Sequence, residues 1–268
     1  MKKARAFFLV FVLLFLYLPI LILAFYSFTN ASQIGTFQYF SFSNYVTLVT
    51  TPELLEMLRG TVLLALGSSL LATVIGTLGA IGAYYSKSGV RSLYSSVNRI
   101  PVINADVVTG FSICILLAVV LGVDKDTYIP LVVGHVVLSA PFVYLSVMPK
   151  LKQMDSSLYE AALDLGATPF YALNHVILPQ IMSGVTSGFM LAVTLSLDDY
   201  FIATYTKPAT FDTISTYVVN ATKGARTEIK TALWALATVI FALVVLVVVI
   251  SNISANRKKD EFRKKAEA

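Results

Sequence analysis

Six stretches of this chain are long and apolar enough to cross a bilayer, and that limits its possible folds more than any other feature. A spanning helix needs about 20 mostly apolar residues. Residues 7–28, 60–85, 100–123, 129–148, 181–205 and 231–250 meet that requirement. Inside lipid each backbone N–H and C=O must be satisfied within the protein, which makes helices of such long segments. The expected fold is an all-α polytopic membrane protein with six transmembrane helices. Composition agrees, since 57% of the 268 residues are hydrophobic and 13% are charged, with mean hydropathy +0.77. A soluble domain carries about 25% charged residues, so much of this surface is expected to face lipid. Pro130 and Pro141 interrupt the fourth stretch. Spanning helices tolerate proline when neighbours satisfy the freed carbonyls, so the stretch is kept as a span.

The charges give an orientation. Six spans put both termini on one side, together with the connections near residues 86–99 and 149–180. That side holds Lys2, Lys3, Arg5, Lys87, Arg91, Arg99, Lys150, Lys152, Arg257, Lys258, Lys259, Arg263, Lys264 and Lys265. The other holds Arg59, Lys125, Lys207, Lys223, Arg226 and Lys230. Fourteen against six places the termini in the cytoplasm. Lys2, Lys3 and Arg5 before the first stretch would also suit a signal peptide. Its length and the lack of an A-x-A site favour an uncleaved anchor. Cys114 is the only cysteine and the histidines are His135 and His175, which excludes an internal disulfide and makes a zinc site unexpected. The net charge of +5 belongs to the flanks of spans, so no nucleic-acid partner is expected.

Two local patterns stand out. Ser68, Ala72, Gly76 and Ala80 recur every four residues in the second span, with Gly79 and Gly82 nearby. Lipid gives helices no hydrophobic reason to associate, so a stripe of small residues marks a close packing face. Between the fourth and fifth spans lies a 32-residue cytoplasmic stretch, 149–180. In it Leu158, Ala161, Ala162 and Leu165 share one helix face. Ser157 and Glu160 have capping-box spacing, Gly166 stands at a left-handed closing position, and Thr168-Pro169 starts a second helix. An exposed apolar face with Glu160 and Asp164 beside it, rather than lysines, suits a soluble partner better than lipid headgroups.

These residues carry a resemblance. Glu160-Ala161-Ala162, three residues, Gly166, nine residues, then Val176-Ile177-Leu178-Pro179 resembles the EAA motif of binding-protein-dependent ABC importer permeases, with Val176 where isoleucine is usual. The resemblance extends over about residues 42–253, beginning with Ser43-Asn44-Tyr45. It implies the type I, MetI-like permease fold, with a coupling helix at about 158–165 between helices 4 and 5. By that likeness Glu160, Ala161, Ala162 and Gly166 would contact an ATPase subunit. The implied assembly has a second permease subunit, two ATPase subunits and an extracytoplasmic binding protein, in a bacterial inner membrane. No G-x-x-x-x-G-K-[ST] loop occurs, so this chain is expected to bind no cofactor and to draw on ATP hydrolysis by another subunit. It is not expected to be an enzyme by itself.

Ionisable residues inside spans are costly and therefore candidates for function. The spans hold Asp106, Asp198 and Asp199, and no lysine or arginine. Adjacent helical residues point about 100° apart, so Asp198 and Asp199 should separate, one toward a pathway and one toward a neighbouring helix. The lesser alternative is that all three are capped structural carboxylates, and His135 is expected to be a hydrogen-bonded packing residue. Carboxylates without compensating cations suit a cationic substrate. The Leu195-Ser196-Leu197-Asp198-Asp199-Tyr200 run resembles the spermidine/putrescine permease subunits, which implies a polyamine path through Asp106, Ser196, Asp198, Asp199 and Tyr200. Aromatic rings such as Tyr200, Phe201 and Tyr205 would add cation–π contacts. Residues 224–230 lack the proline and asparagine expected by that likeness. Another solute of the same importer class, or a secondary transporter or channel, are the alternatives. The expected organisation is 1–56 for the first span and outer loop, 57–253 for the transport core, and 254–268 for a basic cytoplasmic tail.

Overall fold

The computed structural model of the chain describes residues 2–31, 35–37, 39–155, 157–223, 231–242 and 245. Among them every named element is helical, apart from an isolated bridge between Thr29 and Phe40. The chain divides into two units, one of residues 1–55 and 218–268, the other of residues 56–217.

In the first unit α1 (Lys2–Ser27) is followed by a short aromatic turn and α2 (Ser43–Thr50). Asn44 fixes that turn by donating its side-chain amide to the carbonyls of Ser27 and Thr29, each at 3.0 Å. The described part of the sixth expected span is a helix, Thr231–Ala242, in which Trp234 meets Tyr26 of α1 edge to face. The rest of that span, the 224–230 loop and the 254–268 tail lie outside the described residues.

The second unit holds most of α3 (Pro52–Tyr85), then α4 (Ser88–Asn98), α5 (Ile100–Ile103) and α6 (Asp106–Cys114), which continues as a π-turn over Ile115–Val120. After these come α7 (Ile129–Gln153), α8 (Ser157–Asp164), α9 (Pro169–Ala172) with a π-turn at Leu173–Ile177, α10 (Leu178–Asp198), α11 (Phe201–Thr206) and the start of α12 (Ile214–Lys223), whose residues from 218 on belong to the first unit. Pro141 and Pro149 sit inside α7 without ending it.

The expected small-residue face of α3 is a packing face. Ser68, Ala72, Gly76 and Ala80 are all buried, and a Cβ on Gly76 would lie 2.7 Å from the Ala140 carbonyl of α7. Gly82 faces open space and takes no part. α10 meets α7 in the same manner: a Cβ on Gly184 would come within 2.9 Å of the Ser146 carbonyl, and one on Gly188 within 3.1 Å of the Val143 Cα. With little hydrophobic drive available in lipid, this close backbone approach supplies the van der Waals contact that holds the helices. At the end of α3, Arg91 donates to the carbonyls of Ala83, Tyr84 and Ser86, satisfying groups that the helix leaves open.

Four helices among the described residues are long and apolar enough to cross a membrane: Phe8–Ser27, Pro52–Tyr85, Ile129–Gln153 and Pro169–Asp198. A fifth is counted if Ser88–Ile103 and Asp106–Val120, bent by 103° at Asn104–Ala105, form one span. The third expected stretch is thus not one straight helix from residue 100. It starts at Ser88 and breaks just before Asp106. The fifth is also corrected: its helix stops at Asp198 and resumes as α11 at Phe201. A hydropathy window measures apolar length and does not register such a break.

Candidate functional site: two interrupted helices and a projecting helix

Both interruptions fall at the carboxylates. Asp106 is the first residue of α6, where the positive end of the helix dipole favours a negative charge by about 0.3–1 kcal/mol. It is exposed and has no hydrogen bond or ion pair among the described residues. Asp198 closes α10, equally exposed and unpaired. Asp199 turns the other way and is buried. Its carboxylate accepts the N–H groups of Ile202 at 3.2 Å and Ala203 at 2.7 Å, capping the first turn of α11. A second group reaches Asp199 from α7, with His135 Nε2 3.7 Å from its Oδ2. Asp106 lies near enough to act electrostatically on Asp199.

α11 is clamped where it begins. Ile202 is fully buried between Gly110 of α6 and Gly134 of α7. A Cβ on Gly110 would stand 2.9 Å from the Ile202 Cα, and one on Gly134 would stand 2.6 Å from its Cγ2. Thus α6, α7 and α11 converge beside the Asp198–Asp199 break. Ser196 is buried, its hydroxyl 3.3 Å from that of Ser68, and so ties α10 to α3. Tyr200 is half-buried and packs edge to face on Phe201, while Tyr205 meets Phe111. Of the sequence candidates, Asp106, Asp198 and Tyr200 stay open at the break, whereas Asp199 and Ser196 are built into its walls. Sequence reasoning did not pair His135 with Asp199, nor find the Gly110–Ile202–Gly134 clamp.

The projecting segment has the predicted form. α8 closes at Gly166, whose φ is +87°, with Gly166 N–H bonded to Leu163 O at 2.9 Å and Ala167 N–H to Ala162 O at 3.0 Å. This pair of bonds is the Schellman closure, which needs the left-handed residue that glycine supplies. Thr168 then caps α9 through Tyr171 N–H, with Pro169 at its first position. The start differs from the capping box expected at Ser157 and Glu160. The Ser157 hydroxyl donates to Asp155 Oδ1 at 2.8 Å, and its N–H bonds the same oxygen at 3.0 Å. A carboxylate two residues earlier is the stronger acceptor, and the Ser157 N–H and hydroxyl hold the Asp155 carboxyl below its usual range. Glu160 and Ala161 are exposed, Ala162 is half-buried, and Leu165 is 90% exposed. Tyr159, on the other face, stacks at a tilt on Tyr85, 5.2 Å between ring centres. Ala162, Leu165, Ala167, Tyr171 and Val176 line an open apolar hollow around Gly166.

Long apolar helices, two of them interrupted at carboxylates, with a short glycine-closed helix between α7 and α10, are the features of an integral membrane protein. The chain belongs to the family of binding-protein-dependent transport system inner membrane components, whose model matches residues 1–259. Among curated proteins it is 30% identical over 246 residues to the spermidine/putrescine transport system permease protein PotC of Escherichia coli K12, covering 91% of this chain and 90% of that one. It is also 30% identical over 243 residues to the putrescine transport system permease protein PotI of the same strain, covering 87% and 84%. Among solved structures, a bacterial ABC transporter involved in import of the acidic polysaccharide alginate matches with TM-score 0.73 at 20% identity. That match covers 96% of this chain and 94% of that one. A second alginate transporter structure, in complex with a periplasmic protein bound to an alginate pentasaccharide, matches at 0.68.

Proposed function

We propose that this chain is one of two membrane-spanning subunits of an ATP-driven importer of polyamines, spermidine or putrescine. A second permease would complete the path, two ATPase subunits would dock on α8 and its glycine turn, and an extracytoplasmic binding protein would deliver the solute. The observation that carries the substrate class is the pair of open carboxylates, Asp106 and Asp198, at two helix breaks, with no lysine or arginine in residues 100–120 or 178–206 around them. Irregular backbone at membrane depth is tolerated only where it is buried in protein or lines a water-filled cavity. The names of the curated relatives point to the same substrates. Alginate is a polyanion, so this fold alone does not choose the sign of the cargo. The side chains at the breaks have to, and here they are acidic.

The direct test is uptake by the four components reconstituted in vesicles. Labelled spermidine and putrescine should enter only with ATP and the binding protein present. Entry of anionic or neutral solutes while polyamines are ignored would sink the assignment. Orientation is tested separately. We place both termini and Lys152 in the cytoplasm and Lys125 outside. In a Cys114→Ala background an impermeant thiol reagent should label Lys125→Cys in intact cells and spare Lys152→Cys. Labelling at Lys152→Cys from outside would remove α8 from the ATPase side.

A further inference from the structure

Proton counting at the α10–α11 break assigns a role to His135 that its sequence setting does not suggest. The ring is fully buried, with Nδ1 2.9 Å from the carbonyl oxygen of Leu131. A carbonyl can only accept, so Nδ1 carries a proton. Nε2 is also buried, lacks a hydrogen-bond partner, and stands 3.7 Å from Asp199 Oδ2. A neutral ring would then turn a bare nitrogen acceptor toward an ionised carboxylate in a buried place. Two acceptors facing one another without water or a proton leave both unsatisfied. Among the described residues Asp106 also acts electrostatically on Asp199, with the same sign as the carboxylate.

We propose that His135 and Asp199 hold one proton between them and form an electrically neutral pair that positions the start of α11. His135 is then a positioning residue, acting on the path through Asp199 and the two N–H groups it caps. Wherever the proton rests, the pair offers no net charge to a cation. The negative charge available at the break is that of Asp198 and Asp106. This inference rests on the reading of the break as a path for cationic solute, and it gives a reason why Asp199 adds no charge to the two open carboxylates.

The test uses the complete transporter, with melting temperature and uptake kinetics both measured. His135→Leu strands a buried carboxylate without its partner. It should lower the melting temperature and cut the maximal uptake rate about tenfold or more. Adding Asp199→Asn removes the stranded charge and keeps an acceptor for α11, so the double variant should recover most of both losses. In the presence of His135, Asp199→Asn can donate its amide to Nε2, reproducing the one-proton pattern. It should therefore move KM less than Asp198→Asn does. Failure of the double variant to recover either quantity overturns the shared proton, as does a larger KM change for Asp199→Asn than for Asp198→Asn. The melting arm needs no substrate, so it still decides the pair if the transporter carries something other than polyamines.

Discussion

Asp198→Asn should raise the KM for spermidine or putrescine about tenfold, a loss of about 1.4 kcal/mol, with protein level and ATPase assembly unchanged. The substitution keeps shape and hydrogen-bonding capacity and removes only charge. Asp198 is exposed and bonds to nothing else among the described residues, so its removal disturbs no structural partner. The magnitude follows from its setting. Two unit charges about 4 Å apart attract by about 4 kcal/mol at an effective dielectric of 20 and by about 1 kcal/mol in bulk water. A carboxylate at the mouth of a break between two helices falls between these limits. Asp106→Asn should act in the same direction and less strongly, because the dipole at the start of α6 already spends part of that charge locally. The measurement is uptake per correctly inserted transporter at several substrate concentrations. Unchanged KM in both variants would leave the cation path without a charge to guide it.

Gly166→Val should uncouple the machine while leaving its membrane part intact. The φ of +87° at this position is disfavoured for any side chain and worst for a β-branched one, at a cost of about 1–3 kcal/mol. That cost exceeds what an eight-residue helix can absorb at its closing turn, so the Schellman bonds of Gly166 and Ala167 should open. The turn lies apart from the packed faces of α3, α7 and α10, and nothing stands within 4 Å of a Cβ built there. Insertion and pairing with the second permease should therefore persist. ATP hydrolysis stimulated by loaded binding protein should fall to the basal level, and uptake with it. Normal substrate-stimulated hydrolysis in this variant would show that the α8 turn is not where the ATPase is engaged.

How much of this could be read in the sequence depended on how local the cause was. The helix, glycine and helix around Gly166 are written within a dozen residues. Each signal there (Gly166, Thr168 and Pro169) has one backbone conformation it serves best. The stripe from Ser68 to Ala80 is equally legible, because a four-residue repeat keeps small side chains on one face whatever the partner helix is. The capping box failed for a local reason: Asp155, two residues upstream, outcompetes Glu160 for Ser157. The helix breaks were hidden by the smooth hydropathy of their windows, although Asn104 and Asp199 are both residues that favour helix starts over helix interiors. The His135–Asp199 pair was not readable at all. The two residues are 64 positions apart, and only the packing of α11 between Gly110 and Gly134 brings them together.

The glycine contacts between α7 and α10 also bear on how work could travel through this chain. Gly184 and Gly188 bring the α10 backbone close to that of α7, with the Lys150 and Val143 side chains beside the contacts. Long side chains at an interface act as a soft gasket: they change rotamer and let one helix slide past the other. At the two glycines that slack is reduced. The segment carrying α8 leaves α7 at one end and enters α10 through α9 at the other, so its two attachments belong to helices in close contact. If an ATPase engages the α8 turn, as proposed, a push there would reach α7 and α10 together and arrive at the α10–α11 break.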